Sequence, residues 1–569
     1  MVSTDVVAVR TGITCTKLKN PLSMATKQCV CSPCHLCEYS LSKMKCQLIK
    51  DDGLVLSDGS ELTLQQPVLQ PTEWFLTKEE ITQSRGGVPR SNLQTYSKGN
   101  KVVVFPSSDQ YFLFAYRDIE RSGANDTVYL AGWGVDNVPF DPINDPTGKK
   151  SSFQSIMKRA VQRGADFRAL VWANQLEREQ NLVMRDFINT NLTKPTVSGP
   201  ARFVFDDRVP YLASSHHQKS LILRQQNKLV AYLGGVDLTT DRWDTINHDQ
   251  SKLRDQVKIS RYFNGWVDAH YRIEGPAALD VGNNFLQRWN SAFKPTLGKI
   301  DDLLDFENPG HSALPPLSSN GPLDLNGKGP HMVQITRTFS CKYKHYEEFA
   351  PRGENSLFQA RIKAIKAAKN FIYIEDQYFV LVPELLDALL EVLPRIQRLI
   401  VVAQRVMPDT KVTGYDRYSF DMVAPIQKRF PNKFQLYTTK EAKNLYIHSK
   451  VVIVDDVYLS IGSSNWNRRS MTSDSEIGAN VVDTETVETP EGLQVGKLVR
   501  NFRLSKFMEM TGKSVASLAK MKLIDAANAF DTAAEDPASI IERLQVEDSV
   551  KFVAFGDVVR QKIDPDDKC

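Results

Sequence analysis

One short pattern, His-x-Lys, occurs twice in this chain, as His217-Gln218-Lys219 and His448-Ser449-Lys450, and both copies lead into the same downstream syntax. Each is followed by an apolar segment, a polar turn, a second apolar segment and a small-residue turn. The first copy runs through Leu221-Ile222-Leu223 to Gly234-Gly235-Val236-Asp237. The second runs through Val451-Val452-Ile453-Val454, Asp455-Asp456 and Tyr458-Leu459-Ser460-Ile461 to Gly462-Ser463-Ser464-Asn465. A lone His-x-Lys carries almost no information, but two with matching surroundings predict one site assembled from two repeated halves.

The rest of the sequence agrees with such a duplication. From Lys101 to Phe293, apolar runs such as Val102 to Phe105 and Thr127 to Ala131 alternate with helical stretches such as Ser152 to Arg163, which is α/β alternation. A Pro- and Gly-rich stretch, 294–330, reads as a linker. The alternation then resumes, with a helix expected over Ser356 to Lys369, a strand over Phe371 to Glu375, a helix over Leu381 to Ile396 and a strand over Leu399 to Ala403. This divides the chain into an N-terminal extension (1–100), a first half (101–293), the linker, a second half (331–504) and a C-terminal extension (505–569) expected to be helical.

Composition limits the functions open to such a protein. With 569 residues, 41% of them apolar, the chain can bury large cores, and a net charge of +4 gives it neither a nucleic-acid electrostatic footprint nor a polyacidic character. No run of 18 apolar residues is present, so contact with lipid is expected to be peripheral. Six of the eight cysteines crowd the start, at Cys15, Cys29, Cys31, Cys34, Cys37 and Cys46. Two readings stay open for them, disulfides and a zinc site. The cysteines and the Asn-x-Thr triplets at Asn125 and Asn191 favour an extracellular setting, while the opening residues lack the apolar core of a signal peptide.

Two histidines and two lysines in this arrangement suit attack on a phosphodiester. A neutral imidazole attacks through Nε2 when a carboxylate accepts from Nδ1–H, and a second, protonated imidazole gives the leaving oxygen its proton. That second ring then becomes the base that activates water against the phosphohistidine. The lysines hold the non-bridging oxygens, and the scheme requires no metal or other cofactor. In a strand, residues i and i+2 share a face, so each His-x-Lys projects both groups into one cleft. The turns at Gly235 and Ser463 are expected to bring backbone amides or a hydroxyl to the substrate.

The segment His448-Ser449-Lys450, followed by Asp455, Gly462-Ser463-Ser464-Asn465, Arg469-Ser470 and Asp474-Ser475-Glu476, resembles the second signature of the phospholipase D superfamily. Ser215-His216-His217-Gln218-Lys219, Gly234-Gly235-Val236-Asp237-Leu238-Thr239 with Arg242-Trp243-Asp244, Trp266-Val267-Asp268, Glu274-Gly275-Pro276-Ala277 and Ile374-Glu375-Asp376-Gln377-Tyr378-Phe379 resemble its eukaryotic-type, phosphatidylcholine-hydrolysing members. The resemblance implies two fused α/β halves, each a mixed β-sheet flanked by helices, related by a pseudo-two-fold with the active site at their interface. It implies His217 as nucleophile and His448 as acid and base, with Lys219, Lys450 and Asn465 around the phosphate. By the same resemblance Asp268 would orient the first histidine, His217, and Glu476 the second, His448. Gln377 and Trp133 are placed along the cleft, Trp133 with the loop Tyr415-Asp416-Arg417-Tyr418 forming a headgroup pocket, and Asp237 and Asp455 are motif residues with a structural part.

The first signature departs from the family at Arg224, where an acidic residue is expected and where the second half keeps Asp455. In the family that position supports a hairpin and does not attack, so its loss should affect local structure more than chemistry. The activity implied is hydrolysis of phosphatidylcholine-type lipids to phosphatidate and a free alcohol, with transfer to primary alcohols. The partner is a membrane surface, no nucleic acid is expected, and the protein is read as a monomer. A nuclease and a decayed lipid binder are the alternatives.

Overall fold

In the computed structural model the described residues are 62–192, 202–292, 308–408, 414–546 and 556–567, apart from 212, 260–261, 309, 344–345 and 347–348, together with the backbone of five short strands before residue 49. The six clustered cysteines have no described side chains, so both readings of them lie outside the described residues. Cys341 is disulfide-bonded.

Fifteen strands form one continuous mixed sheet, and its order contains the duplication. From the centre outward, the first half lays down Ser97–Phe105, His270–Glu274, Lys228–Gly234, Ser220–Gln225, Thr127–Gly132, Asp166–Trp172 and Phe203–Asp206. The second half lays down His331–Thr338, Glu476–Asp483, Tyr458–Gly462, Lys450–Val454, Phe371–Asp376, Arg398–Ala403 and Phe434–Thr439. In both series the inner four strands are antiparallel and the outer three run parallel. The halves meet where Ser97–Phe105 pairs antiparallel with His331–Thr338, His331 opposite Asn100 and Val333 opposite Ser97.

Both faces of the sheet are covered, which is why strands such as Thr127–Gly132 and Arg398–Ala403 are buried at every position. On one face, each half has its own core: helices Ser108–Glu120 and Phe153–Gln162 cover the first, and Ser356–Ala367, Pro383–Val392 and Tyr415–Arg429 the second. The opposite face carries one core shared by both halves, under Pro276–Asn290, Lys497–Thr511 and Leu523–Glu535. Trp74 and Phe75, from the segment read as an extension, pack into the second half's own core. The C-terminal extension is not purely helical, because Ile541–Arg543 adds an antiparallel edge strand beside Phe434–Thr439.

Arg224 shows how one half rebuilt a brace that the other keeps. In the second half, buried Asp455 accepts from the amides of Lys369, Asn370 and Phe371 at 2.6, 2.8 and 2.8 Å, tying the hairpin to the loop before the next strand. In the first half the polarity is reversed. Arg224 donates from the hairpin to the Asn125 carbonyl at 3.1 Å, and the carboxylate sits on the loop, where Asp126 accepts from the amides of Gln226 and Gly123 at 2.7 and 2.9 Å. The missing acid is thus replaced at the same junction. Asp455→Ala should strand the amides of Asn370 and Phe371, both buried, and the half-buried one of Lys369, and cost ~3 kcal/mol, seen as a lower urea midpoint; an unchanged midpoint would contradict this role.

Candidate active site

The two His-x-Lys segments reach one cleft of about 1400 Å³, lined by His217, His448, Asp237, Asn465, Gln377 and Trp133 among others. His217 stands just before strand Ser220–Gln225 and His448 just before Lys450–Val454, at equivalent positions of the two halves. Backbone pairing fixes both approaches. The segment Gly265–Val267 runs parallel to Leu445–Ile447, and the amide of His448 donates to the Val267 carbonyl at 2.8 Å. Correspondingly, the amide of His217 donates to the Ser475 carbonyl at 2.9 Å, and that of Ser475 to Ser215 at 2.9 Å.

This crossing decides which carboxylate serves which ring. Nδ1 of His217 lies 3.2 Å from both oxygens of Glu476, and Nδ1 of His448 lies 2.8 Å from Oδ2 of Asp268. Each imidazole is therefore held by the other half, the reverse of the pairing expected from the sequence. The physical reason is the parallel pairing just described, which carries each carboxylate across the seam. An ionised carboxylate only accepts, so each Nδ1 carries hydrogen and each Nε2 presents its lone pair.

The histidines, lysines and carboxylates of the site are themselves nearly buried, and burial dominates their electrostatics. Burial, then Lys219 and Lys450, hold His217 far below the ordinary imidazole range; burial, then Lys450 and Arg242, do the same for His448. Burial lifts the Asp268 carboxyl to about 6 and also raises Glu476, while it lowers the Lys450 ammonium to about 8. For Asp237 burial opposes ionisation, but Lys219 at 3.1 Å and Arg242 at 3.7 Å outweigh it and hold the carboxyl below its usual value.

Other expected residues fall at informative places. Trp133 and Gln377 occupy equivalent positions just beyond the corresponding strands; the Trp133 ring lies 5.9 Å from Lys219 Nζ, and Gln377 Oε1 accepts from Lys450 at 3.3 Å. Asn465 lines the cleft. Gly235 and Ser463 turn towards the carboxylates and away from the substrate space. The Gly235 amide is taken by the Ala269 carbonyl, and a Cβ there would stand 2.0 Å from Asp268 Oδ1. At the equivalent position the Ser463 hydroxyl donates to Glu476. The stretch read as a loop at Tyr415 begins a helix, and of its four residues Tyr415 lines the cleft.

Arg242, in the Arg242-Trp243-Asp244 triplet, joins the site although its sequence context assigns it no role. Its guanidinium stacks 3.6 Å over the Trp266 ring, pairs with Asp241 at 2.6 Å and faces the cleft. His248 is a second such residue: it bridges Asp244 at 2.6 Å and Glu509 at 3.2 Å, and Asp244 accepts from the Trp266 amide, bracing the segment that carries Asp268.

Comparison with known proteins finds the family profile described as Phospholipase D over residues 121–384, and the one described as Cardiolipin synthase, PLD-like domain over 362–491. Phospholipase D alpha 2 of Oryza sativa subsp. japonica is 25% identical over 69% of this chain, the match spanning 62% of the relative's length. Phospholipase D alpha 3 of Arabidopsis thaliana is 23% identical over 81% of the chain and 73% of its own. The chain thus spans under two thirds of the rice relative. Among solved structures, the phosphatidylserine synthase of Haemophilus influenzae Rd KW20 aligns over 72% of this chain and 87% of its own, at 12% identity and a TM-score of 0.45.

Gly235→Ala should push Asp268 off His448 and destabilise the fold by ~1–3 kcal/mol of overpacking, read as a lower calorimetric melting temperature. A variant as stable as the parent would show that the close approach is not needed.

Proposed function

We propose, for a chain that belongs to the phospholipase D superfamily, a phosphodiesterase that hydrolyses phosphatidylcholine-type lipids through a covalent phosphohistidine. The observation that carries this reading is the pair of imidazoles at one cleft, each held at Nδ1 by a carboxylate of the opposite half and each beside a buried lysine.

His217 Nε2 attacks phosphorus, the bond from phosphorus to the headgroup oxygen breaks, and that oxygen takes the proton from His448 Nε2–H. Water then attacks the phosphohistidine, gives its proton to His448, and the N–P bond breaks with its electron pair returning to His217. Both rings are neutral in the empty cleft, so the negative phosphate, by offsetting Lys219 and Lys450, is what lets His448 take up a proton. A primary alcohol in place of water gives transfer of the phosphatidyl group.

The membrane is read as a surface to be touched. No helix among the described residues is long and apolar enough to cross a bilayer. The cleft's lining includes Leu176 and Tyr262, 80% and 71% exposed, which suits a rim resting on lipid. Nucleic acid is not proposed as a partner, and the protein is proposed to act as a monomer.

Phosphatidylcholine vesicles with a little ethanol should yield phosphatidylethanol beside phosphatidate, and His217→Ala should abolish both. Turnover should also fall as pH drops through about 6, because a protonated Asp268 loses the negative charge that stabilises the His448 imidazolium. Release of choline without any phosphatidylethanol, or full activity in His217→Ala, would contradict the covalent route.

A further inference from the structure

The scaffold poses its own question: with two equivalent imidazoles, two equivalent lysines and two crossed carboxylates, something must decide which ring attacks. Strand registers align the two small-residue turns residue for residue, Gly234 with Gly462, Gly235 with Ser463 and Asp237 with Asn465, because Gly234 pairs with His270 as Gly462 pairs with Gly478. At the cleft, the last pair is a charged residue in one half and its neutral isostere in the other. Asp237 Oδ2 lies 3.9 Å from Nε2 of His448, too far for a hydrogen bond and close enough for a strong field. Among the described residues, the one carboxylate within 4.0 Å of a ring nitrogen of His217 is Glu476, on Nδ1.

We propose that Asp237 and Asn465 are positioning residues that break the pseudo-two-fold symmetry and assign the two roles. Asp237 makes His448 the ring that accepts the proton, and the neutral Asn465 leaves His217 to attack. The proposal rests on the phosphohistidine reading and goes beyond it, since that reading needs two histidines without saying how they differ.

Asp237 acts on both rings, from 3.9 Å on Nε2 of His448 and from beyond 4.0 Å on His217, so proximity is what favours His448. His448 is faced by Asp268, Asp237, Lys450, Arg242, Lys219 and His217. In the empty cleft burial, and after it the cations, keep the ring neutral; once a phosphate anion offsets the lysines, the adjacent Asp237 favours the proton on His448. His217 is faced by Glu476, Lys219 and Lys450, with Asp237 and Asp474 acting from beyond 4.0 Å. Asp237 is itself held by Lys219 and Arg242, so its charge is fixed next to the acid position. Exchanging the two residues should exchange the roles: His448 Nε2 would then bond to phosphorus as the P–O bond breaks, and the leaving oxygen would take its proton from His217 Nε2–H.

The experiment is rapid alkaline quenching of the full chain during turnover of short-chain phosphatidylcholine, with mass spectrometry of the peptides bearing His217 and His448. The parent should carry its adduct on His217, and the double variant D237N/N465D should carry it on His448. Asp237→Asn alone, the smaller change, should spread the adduct over both rings and lower kcat by about tenfold or more. It should also move the alkaline limb of the kcat profile to lower pH, since removing the carboxylate makes protonated His448 a stronger acid. A folded double variant with its adduct still on His217, or Asp237→Asn with an unchanged adduct site and pH profile, would overturn the proposal and leave the covalent route standing. A parent adduct on His448 would likewise overturn it. No adduct on either ring of the parent would overturn the phosphohistidine reading, and this inference with it.

Discussion

Two crossed contacts, His217 with Glu476 and His448 with Asp268, organise the molecule. Each carboxylate is buried, 0% and 1% exposed for Glu476 and Asp268, and neither finds its imidazole within its own half. A buried carboxylate without its partner costs several kcal/mol, so each half by itself would hold an uncompensated charge at its open end. The single sheet, the shared core under Pro276–Asn290 and Lys497–Thr511, and the parallel pairing of Gly265–Val267 with Leu445–Ile447 all serve to keep the two ends in register. Burial also tunes the chemistry, since it keeps both imidazoles neutral and brings Asp268 and Lys450 to about 6 and about 8.

Duplication gives a symmetric frame, and the differences within it carry the information. Asp455 and Arg224 brace the same junction with opposite polarity, so an apparent motif defect is a local exchange of donor and acceptor. Gly235 admits Asp268 where Ser463 grips Glu476. Trp133 faces one lysine where Gln377 accepts from the other. Asp237 stands opposite Asn465. The first two exchanges preserve structure, and the last two alter what the cleft presents to a substrate.

Much of this was legible in the sequence because it lies in contiguous strings. His217, Lys219, His448 and Lys450 sit in the repeated pattern, and Asp268 and Glu476 in short segments that match a family in order. The α/β alternation was also visible, since strands such as Phe371–Asp376 and Arg398–Ala403 are built on the apolar runs Phe371 to Ile374 and Leu399 to Ala403. What stayed hidden depends on meetings between distant segments. The crossing of Asp268 and Glu476 follows from parallel pairing across the seam, to which no string of residues points. Ile541–Arg543 has three residues and no alternation, and becomes a strand because the edge of Phe434–Thr439 is open to it. Ser463 reads as a turn until Glu476 is seen against it.

The most direct measurement is the tautomeric state of His217 and His448 by ¹⁵N NMR of histidine-labelled protein near neutral pH. The account predicts hydrogen on Nδ1 and a bare Nε2 for both rings, with Glu476→Ala disturbing His217 alone and Asp268→Ala disturbing His448 alone. Hydrogen on Nε2 in either ring, or each alanine variant disturbing the histidine of its own half, would contradict it.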